Sequence, residues 1–444
     1  MGERVIPQSG HSDRISTPEE LARFEIAGRA ASQLLYPEDN AQVAEILTAA
    51  TREGRKVLIA GNNSQRDIGA AIERPDWVIS VTKMNSVVEH DVADLIVTVQ
   101  AGARLPFMQN YLRKSNQQLS LEIPGAEART LGGIVATNSP NVWHSSYGGC
   151  RDSVLGMKVV LPDGSLIRAG GKTVKNVAGY DLSKLFIGTF GTLGAITEVT
   201  FKLSPIPASR QSLIVAFDQV ADAFSFSQKI SAMNFIISRY EYYNRACAAT
   251  KLKGLISSPQ QHGVILTVIG HPAMVQDSSG RIRDIASGHG AVAVRAMTGS
   301  EEEFLPKRIA ENGITSHEAN VRFSVRISVP KAKLAEAAAV IEEFAGQQNL
   351  TAAIQAHMFS GVLDAAFTAQ EVTGAIFQPI YLESIREKIA ALHGSVTGLL
   401  LPLEHRTPEM VWGKTGGHFG LMAAIKKKYD PNGILVAGRF VGGL

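Results

Sequence analysis

Residues 41–53, AQVAEILTAATRE, set Val43, Ile46, Leu47 and Ala50 on one stripe of a helix, with Asp39 or Asn40 placed to cap it after Pro37. The run KVLIA (56–60) then reads as a short buried strand, GNNSQRDIG (61–69) as a polar loop, and WVISV (77–81) as a second strand. Helix, strand and polar loop in that order predict an α/β unit whose loop faces a ligand. LIVTV (95–99) continues as a strand and LPFMQNYLRKSN (105–116) as a short helix.

From residue 121 to 205 the pattern changes to short β segments broken by glycine. VLGMKVVL and SLIRAG predict a hairpin turning at Asp163-Gly164, and TEVTFKL (197–203) alternates so that Val199, Phe201 and Leu203 share a face. The stretch closes at SPIP (204–207), a natural linker. Residues 206–404 form a second block of α+β character. Within it, VPKAKLAEAAAVIEEFAG (329–346) aligns Leu334, Ala337, Ala338, Ile341 and Phe344, and strands are expected at 263–270, 321–329 and 361–368. In the remaining tail, 405–444, GLMAAIKKKY predicts a helix stopped by DPNG.

Charge narrows the function classes. Lys and Arg number 44 against 41 Asp and Glu, so no broad basic field marks a nucleic-acid binder, and Lys426–Lys428 read as cations suited to a helix C-terminus. Two cysteines, Cys150 and Cys247, have no metal-ligand spacing, and no metal site is expected. The N-terminal stretch is polar without a secretory apolar core, and no apolar run is long enough to span a bilayer, so a cytoplasmic protein is expected.

Glycine carries the chemistry. It clusters in PGAEARTLGGIVATNSP, SSYGGCRD, AGGKTVKNVAGYD and IGTFGTLGAI, between Pro124 and Ile196. Such loops let backbone N–H groups hold an anion without basic side chains, which suits an extended diphosphate. Two familiar phosphate motifs fail. Gly171-Lys172-Thr173 and Gly413-Lys414-Thr415 imitate a P-loop, but Leu166 and Pro408 stand where the loop's first glycine belongs. No Gly-x-Gly-x-x-Gly follows a strand and opens a helix, which excludes a dinucleotide fold of that type. No Gly-x-Ser-x-Gly elbow supports a hydrolase either.

The run from ATNSP through YGGCRDSVLGMKVVLPDGSLIRAGGKTVKNVAGYDLSKLFIGTFGTLGAITEVTFKLSPIP resembles FAD-linked oxidases of the vanillyl-alcohol oxidase/PCMH-type superfamily. Its GGKTVKNVAGYDLSKLFIGT portion is most similar to the FAD-binding subunit of bacterial glycolate oxidase. The resemblance implies an α+β fold. A PCMH-type FAD-binding domain of two α/β subdomains would span 1–205, a central α+β cap domain 206–404, and a C-terminal segment, 405–444, would return to the FAD domain. It implies FAD as cofactor, held non-covalently because the first loop lacks the histidine to which some relatives attach flavin. It further implies partners, a catalytic flavoprotein and an iron–sulfur subunit acting on a small 2-hydroxy acid, with peripheral membrane association through them. Two other readings stay open: a free-standing FAD-dependent dehydrogenase of a 2-hydroxy acid or small alcohol, and an assembly protein that has lost FAD.

Carried over by residue, the family's first diphosphate loop falls on Gly61, Asn62, Asn63, Ser64 and Gln65, where asparagines replace two of three usual glycines. Asparagine is the side chain most tolerant of positive φ, so the loop is expected to keep its shape. The second region falls on Pro124, Gly125, Thr130, Gly132 and Gly133, continuing to Thr137 and Asn138. Tyr147, Gly148, Arg151 and Asp152 match a stretch lying along the cofactor, and Gly188, Gly191, Gly194 and Ile196 a strand approaching it. Arg439 is what remains, with Gly438, of an Asn-Pro-Gly-Arg ending. Hydroxy-acid oxidases of the family share His-x-Gly-Asp/Asn-Gly. Here AHMFSGVL keeps His357 and Gly361 but has Phe359 and Ser360 between them. His357 is the candidate base, with Arg322 or Arg326 as the carboxylate partner.

Overall fold

The structure is a computed structural model that describes residues 17–26, 28–172, 180–311, 321–369 and 377–444. Part of the third glycine cluster, residues 173–179, lies outside the described residues.

The predicted first helix runs Asn40–Glu53, with the Asp39 side chain accepting from the Gln42 N–H at 2.9 Å and Gly54 closing it at φ +64°. Its buried stripe, Val43, Ile46, Leu47 and Ala50, is the one the periodicity selects. A three-stranded parallel sheet orders Gln33–Leu35, Trp77–Ser80 and Val57–Ala60, and the last of these ends at the polar loop. A second, antiparallel sheet is centred on the long strand Ala195–Pro205, which pairs with Ile96–Gln100, Val154–Val160 and Gln117–Leu119. The expected hairpin joins Val154–Val160 to Leu166–Gly170. Most of the buried side chains of these two layers share one core, to which the C-terminal Ile434 and Leu435 belong. The tail reaches them by backbone pairing: Val57 N–H donates to Ile434 at 2.8 Å, and Val436 N–H donates back to Val57 at 3.1 Å.

Residues 209–400 supply an eight-stranded antiparallel sheet, in the order Ala291–Met297, Ser209–Phe217, His262–Gly270, Ile237–Tyr243, Leu350–His357, Val362–Ala369, Val321–Ser328, Ser395–Leu400. One face is apolar. Tyr240, Tyr242, Phe323, Ile354 and Phe367 pack there against helices Val220–Ser231, Pro272–Gly288, Leu334–Gln347 and Pro379–Ala390. The stripe predicted for 329–346 is buried as expected, although the helix itself starts at Leu334, after Pro330 and a 3₁₀ turn at Lys331–Lys333. The opposite face is mixed: Arg239, Glu241, Gln355, His357, Asp364 and Arg326 are polar, while Ile214, Tyr243, Ile265, Met297 and Ala353 form a second apolar cluster with Cys247, Leu252 and Leu305. Among the described residues no helix is long and apolar enough to cross a membrane.

One buried histidine makes the large sheet acid-sensitive. The Tyr242 hydroxyl pairs with His262 Nδ1 at 2.8 Å. Burial, aided by Arg245, pushes the imidazolium pKa from 6.5 down to about 4. Between those values the unfolded chain binds a proton that the folded chain refuses, so stability falls as pH drops through that window. The loss attributable to His262 reaches about 3 kcal/mol. Denaturation of wild type and His262→Gln at neutral pH and near pH 4 should therefore converge on acidification; parallel pH dependence would remove His262 as the cause.

Candidate functional site

The polar loop, the helix Leu131–Ala136 and the turn before Ala195–Pro205 surround one cleft, with about 710 Å³ of empty space open to solvent. Of the residues expected at a cofactor, it brings together Gly61, Asn62, Asn63, Ser64, Gln65, Thr130, Gly132, Gly133, Thr137, Gly191, Gly194, Ile196 and Arg439. Its walls are otherwise Ile59, Ala60, Val81, Ala136 and Phe190, together with one cation, Arg129.

The asparagine loop is held at both shoulders. Asn63 sits at φ +53° and its side chain donates to the Arg23 carbonyl at 3.1 Å, while that of Asn62 donates to the Ala128 carbonyl at 3.1 Å. Among the described residues, the backbone N–H groups of Asn62, Asn63, Ser64 and Gln65 have no acceptor. That leaves a row of N–H donors beside the cleft, the arrangement that binds a diphosphate. The two asparagines thus keep the loop's shape and anchor it, which glycines could not do.

The Gly-Gly pair divides its work. A Cβ on Gly132 would stand 2.6 Å from the Ala101 Cβ, so its bareness lets the helix pack on the neighbouring chain, where its N–H donates to Ala101 at 2.8 Å. A Cβ on Gly133 would meet nothing but the Thr130 hydroxyl, at 3.1 Å, and this glycine faces the cleft. Gly194, like Gly132, yields to protein: its Cβ would lie 2.7 Å from Val159.

Arg439 works from beneath the loop. It is buried, its Nη2 donates to the Gln65 carbonyl at 2.6 Å and its Nε to Ile68 at 3.2 Å, and its guanidinium stands 5.6 Å from the Phe190 ring centroid. Burial first, and the like charge of Arg406 second, lower its pKa to about 10, leaving it cationic at neutral pH. The tail therefore shapes the first loop through two side chains, Arg439 and Arg406, the latter donating to the Arg66 and Gly69 carbonyls.

The other expected residues stand outside the cleft lining. Pro124 and Gly125 lead a 3₁₀ turn, Ala126–Ala128, that delivers Arg129 and Thr130. Asn138, at φ +45°, packs against Gly188, where a Cβ would come within 3.3 Å. Tyr147 ends the helix His144–Tyr147, whose Ser145 and Ser146 hydroxyls donate to the Ile237 carbonyl of the large sheet at 2.7 Å. Asp152 accepts from the Gly149 N–H at 2.8 Å and fills the space a side chain on Gly148 would need. Arg151 donates to the Lys184 carbonyl at 2.8 Å. This stretch joins the two halves of the molecule instead of lining the cleft.

His357 and Arg326 stand on the mixed face of the large sheet, in a connected network. His357 Nδ1 lies 3.3 Å from Glu241 Oε1, and Gln355 Nε2 donates to that oxygen at 2.5 Å. Tyr243 and Arg239 both donate to Glu241 Oε2 at 2.9 Å, and Arg239 also pairs with Glu122, from the other half of the molecule. Burial would raise the Glu241 pKa, but Arg239, His357 and the two hydrogen bonds outweigh it and hold the carboxyl below its usual range. Burial lowers the His357 pKa against the pull of Glu241 and Asp364, which keeps the imidazole neutral and able to take a proton. Arg326 is not free to bind a substrate carboxylate: it forms a bidentate pair with Asp364, at 2.8 and 2.7 Å. Arg322 lies half-buried near the start of the same strand.

Sequence reasoning missed Arg129, Phe190 as a wall, and the Arg239–Glu241 pair. A signal for the last was present: in ISRYEYY (237–243) charges alternate with aromatic residues at strand period, which places both charges on one face.

Two family models match the chain: the FAD binding domain over residues 31–170 and the C-terminal domain of FAD linked oxidases over residues 206–440. The glycolate oxidase subunit GlcD of Bacillus subtilis is 26% identical over 421 residues, spanning 91% of this chain and 88% of that protein. A D-lactate dehydrogenase of Archaeoglobus fulgidus is 27% identical over 440 residues, 96% of each chain. Among solved structures, p-cresol methylhydroxylase with substrate bound superposes with a TM-score of 0.70 at 15% identity, covering 95% of this chain and 92% of its own. The fold is thus the PCMH-type α+β fold that the resemblance implied.

Proposed function

Since the chain belongs to the FAD-linked oxidases and is an FAD-dependent oxidoreductase, we propose that it oxidises a small 2-hydroxy acid as the flavin subunit of a glycolate oxidase-like complex. One observation carries this reading: Arg129, in the cleft wall, lies near enough to the large sheet to feel the charge of Arg326, and the Arg239–Glu122 pair ties that sheet to the half of the molecule that forms the cleft. The cleft residues fit FAD. The N–H groups of residues 62–65 suit its diphosphate, the bare face of Gly133 leaves room for it, and Ile59, Val81, Ala136, Phe190 and Ile196 offer apolar walls. Among the described residues no His, Cys or Tyr lines the cleft, which supports non-covalent attachment.

Bound FAD supplies the hydride acceptor. Removal of the substrate's hydroxyl proton falls to His357, whose neutral ring is oriented by Glu241. Electrons then leave through partner chains, a catalytic flavoprotein and an iron–sulfur subunit, through which the protein would sit peripherally at the membrane. The full-length similarity to a D-lactate dehydrogenase favours a second reading, in which the chain turns over alone.

Purification from the native host with associated chains, followed by glycolate and D-lactate oxidation assays of the isolated chain and of the complex, separates the two. The first reading expects activity in the complex and little in the isolated chain. Rapid turnover by the isolated chain, lowered roughly 10²–10⁴-fold in His357→Ala, would establish the second.

A further inference from the structure

The arginines around the cleft differ in one respect. Arg326 is held by Asp364, Arg239 by Glu241 and Glu122, Arg439 by two backbone carbonyls, and Arg406 by the carbonyls of Arg66 and Gly69. The Arg129 side chain has a single hydrogen bond, from Nη1 to the Ser139 hydroxyl at 3.2 Å, and among the described residues it forms no salt bridge. A guanidinium has five N–H donors in a fixed fork, so most of this one's capacity points at no protein group.

Those N–H groups open into the cleft that Arg129 lines. Burial lowers the Arg129 pKa to about 10, and the charge of Arg326, on the large sheet, lowers it further than Glu127 restores. Two cations therefore face the same region, one of them already neutralised by Asp364 and the other not. The backbone at Arg129 is fixed, and its side chain is tethered at Ser139. Its N–H donates to Ala126 at 2.9 Å, and the next residue, Thr130, caps the helix through the Gly133 N–H at 3.2 Å. An under-bonded cation lining a cleft is completed by an anion. A carboxylate fits best, because its two oxygens match the parallel N–H bonds of the fork.

Position selects between the two anionic groups that the cleft would receive. The free N–H row of residues 62–65 is the place for a diphosphate, whereas the Arg129 side chain reaches to Ser139 and feels the charge of the large sheet. We infer that Arg129 anchors the carboxylate of the substrate and is the residue that makes the enzyme select 2-hydroxy acids over neutral alcohols. This rests on the 2-hydroxy-acid reading given above. It assigns the anchor to the half of the molecule that holds the cofactor, in place of the Arg322 and Arg326 positions expected from the sequence.

The test is a titration of FAD-loaded protein with oxalate, a non-oxidisable dicarboxylate, followed through the flavin absorbance spectrum. Arg129→Met should keep its FAD and its circular dichroism while oxalate affinity falls roughly 30-fold or more, the scale of losing one partner of a buried charge pair. Arg129→Lys, which keeps the charge but not the fork, should fall between, and serves if the methionine variant does not fold. Oxalate binding by Arg129→Met equal to wild type would overturn the assignment. Loss of FAD from folded Arg129→Met would overturn it too, by giving the arginine to the cofactor's diphosphate. A wild-type spectrum indifferent to oxalate, glycolate and D-lactate alike would instead remove the 2-hydroxy-acid reading on which the assignment rests.

Discussion

Gly133→Val is expected to fold stably and to lose FAD, whereas Gly132→Val is expected to lose stability. The two glycines are adjacent, yet they face different things. At Gly133 a new side chain would meet only the Thr130 hydroxyl and would otherwise project into the cleft, where the cofactor must lie. The helix tolerates valine better than glycine, so the scaffold has little reason to suffer. At Gly132 the same side chain would strike Ala101, with its Cβ 2.6 Å from that of Ala101 and 3.0 Å from the carbonyl oxygen that accepts the Gly132 N–H. Relief requires moving the helix off its neighbour, at a cost of about 1–3 kcal/mol for overpacking and more if the hydrogen bond is lost. Flavin content per folded protein, read from visible absorbance beside circular dichroism and thermal unfolding, tells the two apart. Full FAD occupancy in Gly133→Val would mean that the cofactor does not approach this glycine.

The cleft was more legible in the sequence than the catalytic face, for a physical reason. Backbone-held sites advertise themselves through residues of unusual conformational freedom, and these are local in sequence: the asparagine loop, the Gly-Gly pair and Gly191 all mark their own positions. What glycine spacing could not tell was which bare Cα faces ligand and which faces protein, since Gly132 and Gly194 are bare for the sake of Ala101 and Val159. The catalytic face is assembled from strands far apart in sequence. Sequence alone offers His357 as a candidate base without its partner, because Glu241 stands more than a hundred residues earlier, and Arg326 as a carboxylate partner, because Asp364 meets it only through strand pairing. Lys426 shows the same limit. Read as a cation suited to a helix C-terminus, it stands in that last turn and also binds Asp430 at 2.6 Å and the Thr192 carbonyl at 2.8 Å, tying the tail helix to the turn behind the cleft.

Glu241→Ala should be the most damaging single change on the large sheet. Glu241 is fully buried and accepts from Arg239, Tyr243 and Gln355, with His357 Nδ1 at 3.3 Å. Alanine would leave a buried guanidinium, a phenol and an amide to share a smaller set of acceptors. Removing one partner of a buried ion pair typically costs about 3–5 kcal/mol, because the surviving charge stays desolvated. Arg239 would keep Glu122, so the damage should stop short of complete unfolding. Glu122 begins the segment that runs through Pro124 and Gly125 to Arg129, and its own N–H is held by Asn141 at 2.8 Å. A strained Arg239–Glu122 pair would then disturb the cleft from across the seam, so the variant should bind FAD more weakly as well as unfold more easily. Glu241→Gln, which retains acceptor and donor atoms without the charge, should recover part of the stability and show whether charge or hydrogen bonding dominates. Equilibrium denaturation and FAD titration of both variants check this. A loss within about 0.5 kcal/mol in Glu241→Ala, the range of ordinary surface substitutions, would mean that water replaces the carboxylate and that the network is not closed.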